Sequence, residues 1–575
     1  MRKYKLKIKK RYAEEKYIVS VIGNIKQKRK NDIINIMDTI SELWKSKSVK
    51  DWSVSDARVK LEQIMNLHRF PEKCIVVIEV NYVDKVYRDI YYHHYASRHF
   101  SQPRNCIRLF FLTSEFASID SNGSLSLNVD SNGKSNGSCF GVCVLQPNGV
   151  IGRSYWNPNV FLESGTYVRT SKFSVTLLGL KLEIEAFPYM MQDQEATTCA
   201  EVTVLNLIDY YSNSYSEYNS VLLSDIERVE AQHSAERVFP SKGMSYADVS
   251  RSLAQTGLSP ILYASKSSKL AEMFMHRYIY YYVESGIPFG IAVESSERGI
   301  MHSIICIGHG PVIDDWVENN VIDYLSKDKL EDAESCDVRQ CWIANLADAH
   351  QTFIVMDDNE TPYQTVKLQV SSSNQWTYPQ GNLPVEFTFD YLCIPLYKRV
   401  FLSADGAEEL FTSVLTSRVG YGAIVSKLDI CSSYKCIGSS KSEPLIIRIF
   451  LASSRTFLSE RIRMFESIPS GLMDEELEEV YQNLYCPRFV WICELYSYSS
   501  YYQSSPKAIG EIVADATARQ TGNTDSLDGI VLIHYPYYIT YRGIDSNWQA
   551  FESNSKNIKK WCPFEQFRGN LSEII

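Results

Sequence analysis

"MMQDQEATTCAEVTVLNLIDYY", residues 190–211, decides how this chain is read. Cys199 stands where a helix begins. Thr197 or Thr198 is placed to cap that helix, and Ala200, Val202, Val204, Leu205, Leu207 and Ile208 follow as its apolar body. A helix start puts partial positive charge beside the sulfur and favours the thiolate. Most buried cysteines are nevertheless inert packing residues. The question is whether the chain also supplies a base, a group that orients the base, and donors for an oxyanion.

The expected base is His302, which opens the apolar strand "HSIICIG" (302–308) just after the turn "ERGIM". His309, at the exit of the same strand, is its competitor. The orienting carboxylate is expected at "IVMDDNETPY", where Asp357 closes an apolar strand and Asp358 begins the turn. Asp357 is the one expected to hold the imidazole, with Asp358 as a turn cap. Upstream of the thiol, Gln192 or Gln194 could donate a side-chain amide to the oxyanion, together with the Cys199 backbone N–H.

Taken in order, Gln, Cys on a helix, His opening a strand and Asp closing a later strand resemble the papain-like cysteine peptidases. The likeness is greatest to their compact bacterial branch, which includes the bacteriocin-leader-processing peptidases. It covers about residues 186–365 and is carried by "QDQEATTCAEVTVL", "YADVSRSLAQTGLSPILYA", "YVESGIPFGIAVE", "MHSIICIGHG" and "FIVMDDNETPY". The resemblance implies a papain-like core, a helical half plus an antiparallel sheet, in a bacterial multidomain chain. It implies Cys199 as nucleophile, His302 as base and Asp357 as orienter. Two departures stand out. The family's oxyanion Gln is usually six residues before the Cys, where this chain has Asp193. The gap from His302 to Asp357 is also lengthened by an acidic insertion at 312–340, a candidate lid or clamp.

The 575 residues are enough for several domains, and 45% hydrophobic with 22% charged residues is ordinary for a globular protein. The net charge is −9, yet residues 1–30 hold twelve Lys or Arg against two Glu. The remainder is therefore acidic, which gives no general reason to expect a nucleic-acid partner. "YKLKIKKRY" (4–12) reads as an edge strand protected by lysine. No segment has the ~18 apolar residues of a membrane span, and no secretion signal is evident. The fourteen cysteines are scattered without a CxxC pair, as buried free thiols of a cytoplasmic protein would be.

The expected fold is α+β. An N-terminal α/β accessory domain (1–185) precedes the peptidase domain (186–398), and a C-terminal α+β accessory domain (399–575) follows. Neither a metal nor another cofactor is expected. His93, His94 and His99 are read as part of an aromatic packing face, and Glu494, Glu511 and Asp515 as strand-edge carboxylates. The expected activity is hydrolysis of a peptide or isopeptide bond in a protein substrate. The outer domains would select that substrate or dock a regulatory protein, and would not be needed for the chemistry. The alternatives are deamidation or transglutamination on the same core, and a scaffold whose core only binds.

Overall fold

The computed structural model describes the chain except for residues 1, 7–16, 23–25, 46–51, 100–101, 120–124, 130–138, 236–242, 266–268, 296–300, 313–320, 324–341, 351, 370–374, 381–382, 418–423, 425–443, 469–475, 503–504, 519–528, 544–547 and 553–561. Most of the insertion at 312–340 thus lies outside the described residues. So does the greater part of "YKLKIKKRY", whose first residues belong to the strand Arg2–Leu6.

The protein is α+β. Its N-terminal part is built on a seven-stranded sheet that runs, edge to edge, Ser171–Leu177, Leu180–Tyr189, Ser154–Trp156, Cys139–Leu145, Cys106–Thr113, Cys74–Tyr82 and Tyr17–Ile22. Every pairing in it is antiparallel. The α/β expectation for this region is corrected accordingly. Two successive helices, Lys26–Lys45 and Asp56–Met65, separate the strands Tyr17–Ile22 and Cys74–Tyr82. They carry the chain across the sheet and back, where a single crossover helix would have given a parallel pair.

The middle of the molecule is a closed ring of six antiparallel strands. Met301–His309 pairs with Phe289–Ser295 and with Thr352–Met356. From there Gln364–Gln369, Gln375–Gln380 and Leu383–Leu396 follow in order, and the last pairs back onto Phe289–Ser295. Closure leaves no free edge within the ring. The helix Cys199–Ser214 lies between this ring and the N-terminal sheet. Eleven of its residues are buried, from Ala200 to Tyr211, with Glu201, Thr203 and Asn206 among them, as befits a helix covered on both sides. Its Val202, Val204, Leu207 and Ile208 share one core with Phe111, Trp156 and Phe187 of the sheet. Each such aliphatic side chain contributes about 1.5–3 kcal/mol by leaving water.

The C-terminal part is an eight-stranded sheet centred on Phe489–Ser497 and Gly510–Asp515. The sheets do not respect boundaries at 185 and 398. Trp342–Asn345 pairs in parallel with Leu445–Ser453 and so belongs to the C-terminal sheet. Tyr167–Val168 pairs with the far end of Met301–His309, and Ser572–Glu573 pairs with Tyr167–Val168. This junction depends on Gly308, where a Cβ would come within 2.2 Å of the Tyr167 carbonyl oxygen. The carboxylates Glu494 and Glu511 are not at a sheet edge. Both are fully buried and bind the guanidinium of Arg461, itself 1% exposed, while Arg448 joins Glu494 to Glu284. Buried charges of this kind persist only when paired.

Candidate active site

Cys199 is the first residue of its helix, and Thr198 is the N-cap. Glu201 reaches back one turn to accept the Thr198 N–H at 3.0 Å and also binds the Thr198 hydroxyl. A capping box therefore fixes the turn that carries the thiol. The preceding loop is built around Asp193. Its Oδ1 accepts the backbone N–H groups of Glu195, Ala196 and Thr197 at 3.0, 2.8 and 2.8 Å. Its Oδ2 accepts Tyr95 Oη at 2.8 Å and Asn148 Nδ2 at 3.3 Å, both from the N-terminal part. This carboxylate, at the position where the papain-like pattern has Gln, organises the loop and ties it down.

His302 lies on the strand facing the thiol. Its Nε2 stands 2.9 Å from Asp357 Oδ1, and the Cys199 thiol is within hydrogen-bond reach of the ring. With Nε2 held by the carboxylate, Nδ1 is the nitrogen left to exchange a proton with sulfur. Burial works against a charged ring here, but the Asp357 carboxylate outweighs it. With the contacts to Cys199 and Asp358 added, His302 is held well above its ordinary value of 6.5. The helix and the strand are locked in register one turn below the thiol, where Thr203 Oγ1 and Ser303 Oγ meet at 2.8 Å inside the core.

The two aspartates divide their work differently from the sequence expectation. Both are buried, and the strand ends at Met356, so both lie just beyond it. Asp357 holds His302 and also makes the turn contact, accepting the Asn359 N–H at 2.7 Å. Neither carboxylate oxygen of Asp358 has a hydrogen-bond partner among the described residues, and Oδ1 lies 3.5 Å from His302 Nε2. Burial, relieved in part by His302 and reinforced by Asp357, pushes its carboxyl up to about 7.

Of the two glutamines, Gln192 joins this cluster and Gln194 does not. Gln192 Nε2 donates to Asn359 Oδ1 at 2.8 Å, and Asn359 Nδ2 lies 3.4 Å from His302 Nε2. Gln194 is exposed, in left-handed backbone at φ 60°. Asn359 is a site residue that the sequence reading passed over; its signal was its place two residues beyond Asp357 in "DDNE".

The loop bearing Asp357 and Asn359 is itself clamped by the N-terminal part. Lys60 Nζ pairs with Glu360 at 2.9 Å, Tyr189 Oη donates to the Glu360 carbonyl at 2.5 Å, and Tyr363 Oη donates to the Trp156 carbonyl at 2.7 Å. The N-terminal part thus anchors the segments on both sides of the site.

Most of the other described thiols are buried, although Cys486 and Cys562 are half-buried like Cys199. Burial pushes Cys74, Cys139, Cys143 and Cys393 up to about 12. Cys199 is only half-buried. For a metal, the candidates among the described residues are His302, Asp357 and Asp358, whose donor atoms all lie within 4.8 Å of one another. His93 instead pairs with Glu227, and His94 with Glu195 and Arg98. No helix among the described residues is long and apolar enough to cross a membrane. Compared with known proteins, the chain matches no family model and no curated protein.

Proposed function

We propose that the protein is a cysteine hydrolase with a papain-like core that cleaves a peptide or isopeptide bond of a protein substrate. The observation that carries this reading is the His302 ring, 2.9 Å by its Nε2 from Asp357 Oδ1, set beside Cys199 at the first position of its helix. The thiolate of Cys199 adds to the scissile carbonyl. The negative oxygen takes the Cys199 backbone N–H, which has no intrahelical acceptor at this position, and the Gln192 amide after it leaves Asn359. The His302 imidazolium gives its proton to the departing amine, leaving a thioester. A water then loses its proton to His302, attacks the thioester and restores the thiol. Asp357 holds the ring and stabilises its charged form throughout. An amine in place of that water would turn the same steps into transamidation, and a glutamine side chain as substrate would turn them into deamidation.

A thiol-directed electrophile followed by peptide mapping tests the reading, with substrate proteomics on the labelled protein to follow. Cys199 is expected to react first among all fourteen cysteines, and Cys199→Ala to abolish turnover. A native protein in which another cysteine reacts while Cys199 stays silent, and in which Cys199→Ala keeps its activity, would sink it. A second reading rests on the Asp358 carboxylate, whose oxygens have no hydrogen-bond partner among the described residues: His302, Asp357 and Asp358 would hold a divalent cation. Activity that survives Cys199→Ala but is lost to a chelator and regained with zinc would favour that reading instead.

A further inference from the structure

His309 closes the strand Met301–His309 at the end away from the thiol, and it is buried there with Glu284 and Arg448. Both of its ring nitrogens face acceptors. Nδ1 stands 2.8 Å from the Gly310 carbonyl oxygen, and Nε2 stands 2.8 Å from Glu284 Oε2. A carbonyl has no proton to give, so Nδ1 carries one. Nε2 carries a second unless the Glu284 carboxyl is itself protonated. The surroundings of Glu284 oppose that. Its other oxygen accepts Arg448 Nε at 2.7 Å, and Arg448 Nη2 as well. Burial disfavours the charged carboxylate, yet Arg448 and His309 hold it well below the ordinary carboxylate range.

The neighbouring rings suit a charged imidazole. Tyr167 stacks on His309 with centroids 5.3 Å apart, close enough for a cation–π contact. Tyr280, one turn before Glu284 on the helix Lys269–Glu284, lies 5.7 Å away. His350 stands edge-on at 4.4 Å, and burial, with His309 beside it, holds that ring well below its ordinary value, so it is neutral. Three further titratable or charged groups line this end of the strand: Tyr501, and Arg568 with Glu573, which pair with each other at 3.1 Å. The contacts of Glu284 and Arg448 run on into the C-terminal residues. Asn570 Nδ2 donates to the Glu284 carbonyl at 3.0 Å, and Arg448 Nη2 donates to the Phe567 carbonyl at 3.0 Å. Residues 567–570 lead directly into Ser572–Glu573, the strand that lies against Tyr167–Val168.

We propose that His309 is an imidazolium in the folded protein and that it works as a pH-dependent clasp. It joins the ring of strands to Arg448 of the C-terminal sheet, and through that pair to residues 567–573, with Glu284 as the link. With a single proton the imidazole donates only once, and either Glu284 or the Gly310 carbonyl then loses a donor inside the core. A proton held by the folded chain and given up by the unfolded one adds stability at acid pH that is lost as pH rises. The clasp is therefore closed at acid pH and loosens as the second proton leaves. It does not depend on the chemistry proposed for Cys199.

The test uses the full chain. Nitrogen chemical shifts of isotope-labelled histidine tell an imidazolium from a neutral ring, and His309→Gln identifies the signal. At about pH 6, where burial alone would leave the ring neutral, both nitrogens of His309 are expected to carry protons. A bare nitrogen on His309 at that pH overturns the proposal. Melting temperature is the second readout. The wild type should exceed His309→Gln by a few degrees at about pH 6, and the margin should shrink toward about pH 8. A margin that is constant, or that grows with pH, also overturns it. Hydrogen exchange needs no variant, so it decides even where His309→Gln does not fold. Protection of residues 564–574 in the wild type, corrected for intrinsic rates, should fall over the same interval, and equal protection at both ends of it would sink the clasp.

Discussion

Two histidines share one strand, and each faces a carboxylate at nearly the same distance. His302 meets Asp357 at 2.9 Å and His309 meets Glu284 at 2.8 Å. Only the first serves as a base in the proposed function. The second nitrogen of His309 is closed by the Gly310 carbonyl at 2.8 Å, and Glu284 is shared with Arg448. The second nitrogen of His302 is left to a thiol. A histidine–carboxylate pair is therefore not a sign of chemistry by itself; the fate of the other ring nitrogen decides. His309 and its partners instead bind the central ring of strands to the C-terminal sheet.

The sharpest way to break this contrast is to remove each ring. His302→Ala is expected to lower the rate by about 10²–10⁴, the usual worth of a positioned acid–base group. His309→Ala should leave the per-molecule rate of the folded protein near that of the wild type and lower its melting temperature. Equal rate losses in the two variants, measured on folded protein, would erase the distinction. Next in size is removal of the first domain. A chain lacking residues 1–185 loses Tyr95 and Asn148, which hold the Asp193 loop, and Lys60 and Trp156, which hold the Asp357 loop, so it is expected to label slowly or to aggregate. A soluble, folded 186–575 fragment that labels at the full rate would show those anchors to be dispensable.

Asp357→Asn sharpens the comparison through pH. The carboxylate raises His302, so the stabilisation it provides is fully present below pH 6.5 and is lost as pH rises through the raised value in the folded protein. The alkaline limb of the rate should move to lower pH in the variant, with a fall in maximal rate of about tenfold or more. An unmoved limb would separate Asp357 from the titrating ring. Thr203→Val removes the bond to Ser303 while keeping the shape of the side chain. It is expected to lower the rate a few-fold, about 1 kcal/mol, with an unchanged pH profile.

The smallest effect on rate is expected from Asp358→Asn, and its stability effect has a definite sign. The carboxyl is raised from 3.8 to about 7, so the native state holds its proton more tightly than the unfolded chain does. Stability on this account is greatest below pH 3.8 and is lost progressively up to about pH 7. The amide cannot ionise, so the variant should gain melting temperature over the wild type above pH 7 and little at pH 4. A gain that does not grow with pH would contradict this.

What could be read from sequence was what local pattern encodes. The thiol helix, the strand from Met301 and the turn after Met356 each announce themselves by periodicity and end signals, and they brought Cys199, His302 and Asp357 into view. Pairings between distant short segments have no such signature. Tyr167–Val168 and Ser572–Glu573 are two residues each, too short for alternation to show. The helix Ser454–Ser467 escaped notice because Arg461 lies on its buried face, where an amphipathic pattern would have an apolar residue. Asp193 looked like a defect in a catalytic pattern, because the three backbone N–H groups it collects are invisible in a string of letters.

The small strand Ser572–Glu573 bears on how the molecule is made. It is the outermost neighbour of Tyr167–Val168, which in turn lies against the strand carrying His302, and Ile574 beyond it is buried in the same core as the thiol helix. A ribosome delivers Cys199, His302 and Asp357 well before it delivers this piece. The sheet behind the thiol therefore stays incomplete until Ser572–Glu573 has been synthesised.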